Sequence, residues 1–394
     1  MLLEILYIIF GISIFGIFWT YAGYPIFIWF LSKIIKKEHK YDENYQPNVS
    51  LMIMTYNEEK TIERKIKNAI EQNYSKEKLQ ILVVDSGSTD RTHEIVEKYK
   101  DKGIELIKQK ERKGKGAGIN FGLNFAKNDI IIITDANAYF DKNAIKHLVK
   151  HFSDSNVGIV GGKHFVKKIK SVAETEGTDF FRKYEEFLRE KESIIDSAVN
   201  FGGEIFGIRK SLCTIDEKNI TEDFENCLTV RKKGYRLLRD PKASAYEYAP
   251  STKRDVFIQR KKVLVGSILT LIKHRDMLFN PKYGFYGVII LPGHRLFQVL
   301  NPFFLILIFL SSIIIYILSN NIFIFYFLLI QILFLIISII LVILSILKIE
   351  LKLLPIMALN YFLLVQYSCF MAWISYFKKN YKVTWEKMES SRNI

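Results

Sequence analysis

A chain of 394 residues with 49% hydrophobic and 25% charged side chains suits a polar domain joined to membrane segments better than either alone. Lys and Arg exceed Asp and Glu by 56 to 41, a net charge of +15 that favours an anionic partner: phospholipid headgroups, nucleotide phosphates or nucleic acid. Cys213, Cys227 and Cys369 lack paired spacing, which excludes a disulfide framework and a cysteine zinc site.

The first element is a charge-free stretch over 5–32, long enough to cross a bilayer. It is expected to be an anchor over 1–32 rather than a signal peptide: Glu4 stands where a basic leader would, the stretch is too long, and no small-residue cleavage site follows. Lys33, Lys36, Lys37 and Lys40 come directly after it and place its C-terminal end on the cytoplasmic side. A polar domain over 33–255 is then cytoplasmic.

Within that domain, apolar runs alternate with helical stretches. "VSLMIM" ends in Thr55-Tyr56-Asn57-Glu58-Glu59; "LQILVVD" ends in "SGSTD"; "IELIKQ" is followed by "GKGAGINFGLNFAK"; "DIIIITDA" ends in Asp135 and Asn137. Four such strands separated by helices predict an α/β fold with a doubly wound, mostly parallel sheet covered on both faces. Ligands of such sheets sit beyond the carboxyl ends of the strands, so Glu58, Asp85, Asp90 and Asp135 are expected on one rim. Asp135 and Asn137, two apart, offer hard oxygen ligands for Mg²⁺ or Mn²⁺. A strand-end acid that only caps the next turn fits the pair equally well. "GKGAG" lacks a dinucleotide fingerprint or a P-loop Ser or Thr, so Lys115 either meets phosphate or solvent there.

After the domain, residues 256–295 mix apolar side chains with Arg, Lys and His. They read as interfacial helices whose cations reach phosphate heads, or else as amphipathic helices of the polar domain. Residues 296–377 hold three more charge-limited spans, with a break near Ser319-Asn320-Asn321 and Lys348 and Lys352 before the last. A polar tail over 378–394 closes the chain, and Lys378 and Lys379 favour the inside although an even number of spans sends the tail outward.

"SLMIMTYNEEKTIERKIKNAIEQNY", "ILVVDSGSTDRT", "GKGAGIN", "TDAN" and "TEDFENCLTVRKKGY", in this order, closely resemble the family 2 glycosyltransferases. The likeness is nearer to the membrane-embedded branch with the cellulose, chitin, hyaluronan and poly-N-acetylglucosamine synthases, and covers roughly 45–300. The resemblance implies a GT-A-like fold and inverting transfer of a sugar from a nucleotide-sugar, a UDP-sugar foremost, to an acceptor hydroxyl at the cytoplasmic membrane face. Thr55, Tyr56 and Glu58 match the base- and ribose-binding strand end, Asp85 the carboxylate that holds the nucleoside, and Asp90 and Lys115 neighbouring nucleotide positions. Asp135 matches the first metal-site acid, and Asn137 replaces the second, which keeps an oxygen ligand at lower charge. Asp223 matches the general base, with Glu222 as the rival base or its support. Gly202 and Gly203 match an acceptor-side segment, or mark a loop.

One departure concerns the Gln-x-x-Arg-Trp of the processive synthases, which here reads "QRKKV". Lys262 replaces the arginine and Val263 the tryptophan, so a bidentate clamp and a stacking platform are lost. Gln259 and Lys262 either touch the diphosphate or, as part of a basic interfacial helix, the headgroups. A glycan or a polyprenyl-phosphate or other lipid-linked molecule is the expected acceptor, phospholipid a further partner, and a non-catalytic nucleotide-sugar-binding scaffold the alternative of another class. Nucleic acid is disfavoured, because the basic residues are dispersed and the chain carries membrane spans.

Overall fold

The structure, a computed structural model, describes residues 1–167, 173–248, 252–347 and 353–384. Eight strands form one mixed sheet: β1 Val49–Thr55, β2 Leu79–Asp85, β3 Ile104–Lys108, β4 Ile130–Asp135, β5 Tyr139–Phe140, β6 Val157–Lys167, β7 Phe206–Arg209 and β8 Arg236–Tyr248, in the order β3-β2-β1-β4-β7-β6-β8-β5. The four strands expected from the apolar runs are the parallel half, with β1 between β2 and β4. The other half was not foreseen. β7 pairs antiparallel with β4 and β6, β8 runs parallel to β6, and β5 closes the edge antiparallel to β8.

Alternation along β1 explains how the sheet is held. Leu51 and Ile53 join a core with Ile62, Ile66, Ile132 and Leu148 on one face. Met52 and Met54 join Ile131 and Ile133 on the other. This second core continues through Phe224, Leu264 and Val265 to Tyr286, Val299, Cys369 and Ala372, so the sheet and the apolar helices share one hydrophobic interior. Each such fully buried aliphatic side chain contributes about 1.5–3 kcal/mol.

Among the described residues, four helices are long and apolar enough to cross a membrane: Leu2–Ile34, Tyr286–Ser319, Ile322–Leu344 and Pro355–Phe377. The first carries a π-helical turn at Trp19–Gly23. The second includes a π-helical stretch, Tyr286–Leu296, with Pro292 inside it, so the segment before residue 296 is continuous with the span that follows. The expected break falls at Asn320, whose left-handed φ of 48° ends that helix, and Asn321 accepts from the Phe323 N–H at 2.9 Å to start the next. Lys348, Lys352 and the tail beyond residue 384 lie outside the described residues.

The sequence reading sends the cations of 256–295 toward phosphate heads; for His294 and Arg295 the structure corrects this. Both are buried, His294 lying 2.6 Å from Glu192 and 3.2 Å from Glu185, and Arg295 2.8 Å from Glu185. A charge taken out of water needs an opposite charge beside it, and the helix Ala173–Ile195 supplies both acids. The same helix meets the first span, where the Tyr24 hydroxyl donates to Glu192 at 2.7 Å and the Tyr184 hydroxyl to the Thr20 carbonyl at 2.6 Å.

Candidate active site

Strand register brings the rim together. Thr55 stands opposite Asp85 across β1 and β2, and Met54 opposite Asp135 across β1 and β4. β4 keeps five buried residues before Asp135, which is only half-buried. The chain leaves the core at that residue, which is why so apolar a run stops at an acid. Because β2 and β4 flank β1, the rim is also where the strand order reverses, the usual place for a ligand in an open α/β sheet.

The acids of the first two loops are engaged locally. Asp85 is fully buried; it accepts from the N–H groups of Gly87 and Ser88 at 3.0 and 2.9 Å and from the Thr55 hydroxyl at 3.3 Å, with His93 Nε2 at 2.7 Å. Asp90 accepts from the Thr92 N–H at 3.0 Å and the Glu59 N–H at 3.1 Å, which ties the two loops together. Glu58 is buried and accepts from the Thr61 hydroxyl at 2.6 Å. Tyr56 lies under the Arg112 guanidinium, 3.9 Å from its ring centre. These residues form a preformed loop pair at the mouth of β1 and β2.

Lys115 connects the rim to the far segment. Gly114, at φ +99°, lets the chain turn into the helix Lys115–Leu123. That helix lies close on β1: a Cβ at Gly118 or Gly122 would stand 2.8 Å from the Met54 or Met52 methyl. Its first residue then reaches across the rim. Lys115 Nζ is 2.6 Å from Asp135 and 3.1 Å from Glu222, and donates to the Gly203 carbonyl at 3.5 Å. A Cβ at Gly203 would crowd the Lys115 ammonium, and the end of the lysine would have to shift. Burial disfavours the charge on Lys115, but Asp135 and Glu222 outweigh it and hold its pKa above the ordinary value.

Glu222 and Asp223 open the helix Glu222–Lys232 and face different ways. Glu222 is buried against Lys115. Asp223 lines a cavity of about 800 Å³ together with Gly202, Gly203 and Gln259. Burial first, and the neighbouring Glu222 next, push the Asp223 carboxyl up to about 7, with Lys115 opposing. The structure therefore brings Asp135, Lys115, Glu222 and Asp223 into one group, and Gly202, Gly203 and Gln259 into the cavity beside it. Lys262 is not among the residues lining that cavity.

Asp135 and Asn137 do not share a partner. Asp135 turns to Lys115, whereas the Asn137 amide donates to Glu247 at 3.3 Å. Glu247 belongs to a cluster with His164 and Glu204 whose ligand atoms lie within 4.8 Å of one another. Arg182 shares it, 2.6 Å from Glu247 and 3.5 Å from Glu204. Burial, then the Arg182 guanidinium, push the His164 pKa down to about 3, so its ring is neutral. Its Nε2 is buried without a hydrogen-bond partner. Glu204 and Glu247 with the neutral His164 imidazole make a donor set of the kind that takes Mg²⁺ or Mn²⁺, and Asp135, paired with Lys115, stands outside that cluster. Sequence reasoning missed His164, Arg182, Glu204 and Glu247. The one local signal was Glu204 directly after Gly202-Gly203.

Residues 50–214 match the model of glycosyl transferase family 2. Poly-beta-1,6-N-acetyl-D-glucosamine synthase of Staphylococcus aureus is 24% identical over 298 residues, which cover 70% of this chain and 71% of that protein. The probable glycosyltransferase YdaM of Bacillus subtilis is 29% identical over 262 residues, 62% of this chain and 61% of its own. A mannosyltransferase of Pyrobaculum calidifontis, solved with GDP-Man and Mn²⁺, has the same fold: a TM-score of 0.70 at 22% identity over 95% of this chain and 100% of that one.

Proposed function

Since the chain carries a family 2 glycosyltransferase domain, we propose that it is a membrane-embedded inverting transferase that moves a sugar from a nucleotide-sugar to an acceptor hydroxyl, with its polar domain on the cytoplasmic side. The observation that carries this reading is the convergence of Asp135, Lys115 and Glu222 beside Asp223, which alone of the four lines the large cavity. The donor lies on the Lys115 side, over the rim formed by Thr55, Tyr56 and Asp135; Asp85, Asp90 and Glu58 shape its loops.

Departure of the nucleoside diphosphate builds negative charge, which Lys115 is positioned to stabilise. Asp135 and Asn137 would hold a divalent ion, Mg²⁺ or Mn²⁺, once Asp135 turns from Lys115, and Glu204, Glu247 and His164 are the other candidate set; when bound the ion neutralises phosphate oxygens. Asp223 takes the proton of the attacking hydroxyl from the cavity side. A carboxylate with a pKa near 7 suits that task, since about half of it is ionised at neutral pH and it is more basic than an ordinary aspartate. Attack from the cavity, opposite a leaving group on the Lys115 side, inverts the anomeric centre. Glu222, paired with Lys115, supports rather than competes.

The test is release of nucleoside diphosphate by purified protein in detergent, with Mn²⁺, a panel of labelled nucleotide-sugars and a membrane extract as acceptor source. One donor class should be consumed, and Asp135→Ala and Asp223→Asn should each abolish most of it. Full activity in both variants would overturn the assignment.

A further inference from the structure

The cavity does not end at Asp223. Its walls pass from Gly202 and Gly203 to Phe181 on the long helix and then to Tyr361, Phe362 and Val365 on the last membrane-length helix, with Tyr21 of the first span also at its wall. One end is therefore the proposed transfer site and the other lies between spans. A volume of about 800 Å³ falls in the upper range for small-molecule sites.

The cations of this cavity differ in one respect. Arg182 is paired with Glu204 and Glu247, Arg189 with Glu185 and Glu186, Arg295 with Glu185, and Lys183 with Asp179. Arg260 has no hydrogen bond or ion pair among the described residues, and its Nε is buried without a partner. Its guanidinium carbon instead lies 4.2 Å from the Phe181 ring centre and 5.7 Å from that of Tyr361. Aromatic faces hold the charge in place, but they leave the planar N–H fork open. A half-buried guanidinium without a counter-ion, at the membrane end of an amphiphilic cavity, calls for a phosphate or diphosphate oxygen.

We propose that the acceptor is a lipid-linked glycan whose phosphate or diphosphate is held by Arg260, with its acyl or isoprenyl chain between the spans and a sugar hydroxyl at Asp223. This rests on the transferase reading above and names its acceptor. A bare lipid phosphate as nucleophile would be already ionised and would need no base, whereas Asp223 is placed to accept a proton. In the step, the acceptor oxygen forms a bond to the anomeric carbon and the bond from that carbon to the diphosphate breaks. The electron pair leaves with the nucleoside diphosphate, and the hydroxyl proton goes to Asp223.

The test is direct binding to the full chain in detergent, without any donor, using geranylgeranyl phosphate, geranylgeraniol, phosphatidylglycerol and inorganic phosphate as probes. Geranylgeranyl phosphate should bind saturably and at least tenfold more tightly than the alcohol. Arg260→Met should erase that difference while Arg260→Lys retains part of it, and Val365→Trp, which blocks the apolar end, should weaken both lipids. Equal binding of phosphate and alcohol, or an unchanged preference in Arg260→Met, overturns the proposal. So does competition by inorganic phosphate or phosphatidylglycerol at equal concentration, which would mark a free-phosphate or bulk-headgroup site. Expected lipid binding without turnover of any nucleotide-sugar would instead refute the transferase reading and leave the phosphate-lipid site standing. With active protein, the labelled sugar should partition into the organic phase as a single-step glycolipid; a water-soluble ladder would count against the acceptor named here.

Discussion

At the mouth of β1 and β2 the polar side chains satisfy one another: Asp85 takes hydrogen bonds from the Gly87 and Ser88 N–H groups, the Ser88 hydroxyl and Thr55, and Asp90 binds the second loop to the first. In the cavity on the other side of Lys115, the Asp223 pKa is raised to about 7 and Arg260 has no acid beside it among the described residues. The rim is finished without a ligand and the cavity is not. A closed network fixes the backbone that a nucleotide would meet, at no reorganisation on binding. An open one keeps its charges in reserve for a molecule that brings the missing partners. Lys115 is where the two regimes meet, because it ties Asp135 of the rim to Glu222 beside the cavity.

Breaking the cavity side at its base should have the largest effect. Asp223→Asn keeps the shape and removes the proton acceptor, so kcat/KM for sugar transfer should fall by about 10²–10⁴-fold with little change in donor affinity. Nucleotide-sugar titration against rate separates the two. Breaking the junction comes next. Lys115→Met leaves Asp135 and Glu222 close together without the cation between them, and it removes the charge facing the leaving group. A loss of about 10²–10³-fold is expected, partly restored in Lys115→Arg. An equal loss of donor binding and rate would show that Lys115 only holds the rim together.

The two regions also differ in how far they could be read from the chain. β1, β2 and β4 were legible because each is a short apolar run ending in polar residues, and strand direction alone then puts Thr55, Asp85 and Asp135 on one edge. Thr221-Glu222-Asp223 was legible as a motif, but not which acid meets the cavity, since that depends on how the first turn of the helix Glu222–Lys232 is rotated. β5 to β8 were not legible: β5 and β7 are very short, β6 and β8 carry glycines or charged residues among their apolar ones, and antiparallel partners such as β7 and β4 are far apart in sequence. The cluster of Arg182, His164, Glu204 and Glu247 draws one residue from each of four segments, and only Glu204, after Gly202-Gly203, stood beside residues with a local signal. Arg260 was in view within "QRKKV", but a cation on a basic helix looks like a headgroup contact until the rings of Phe181 and Tyr361 are seen on it.

The rim has its own point of failure, with a smaller effect. Lys65 is buried under the turn after β4, donating to the Thr134 hydroxyl at 3.0 Å and to the Ala138 carbonyl, with its ammonium 3.9 Å from the Phe140 ring centre. Burial pushes its pKa down to about 7. Lys65→Met keeps the apolar stem but leaves the Ala138 carbonyl without that donor. A destabilisation of about 1–3 kcal/mol is expected, offset in part because no charge is then buried. Thermal melting should show the drop, and activity should fall less than in Lys115→Met because the turn carrying Asp135 and Asn137 loosens while Lys115 keeps its place beside Asp135.

The smallest effect is the most discriminating, because it asks whether Glu222 acts on Asp223 or replaces it. The Asp223 pKa lies above that of an ordinary aspartate, so the carboxylate is lost as pH falls through about 7. A base works only when unprotonated; kcat/KM should therefore fall about tenfold per pH unit below that point and level off above it. In Glu222→Gln the like charge that helps raise this pKa is gone, and Lys115 is left with one acid fewer to neutralise it. Both changes favour the Asp223 carboxylate, so the acid limb should move down by about one pH unit, while burial, the larger cause, keeps it above the ordinary aspartate value. If Glu222 were itself the base, Glu222→Gln would flatten the limb and lower the plateau by the full general-base factor. A limb that moves down with most of the plateau intact assigns the proton to Asp223 and the field around it to Glu222 and Lys115.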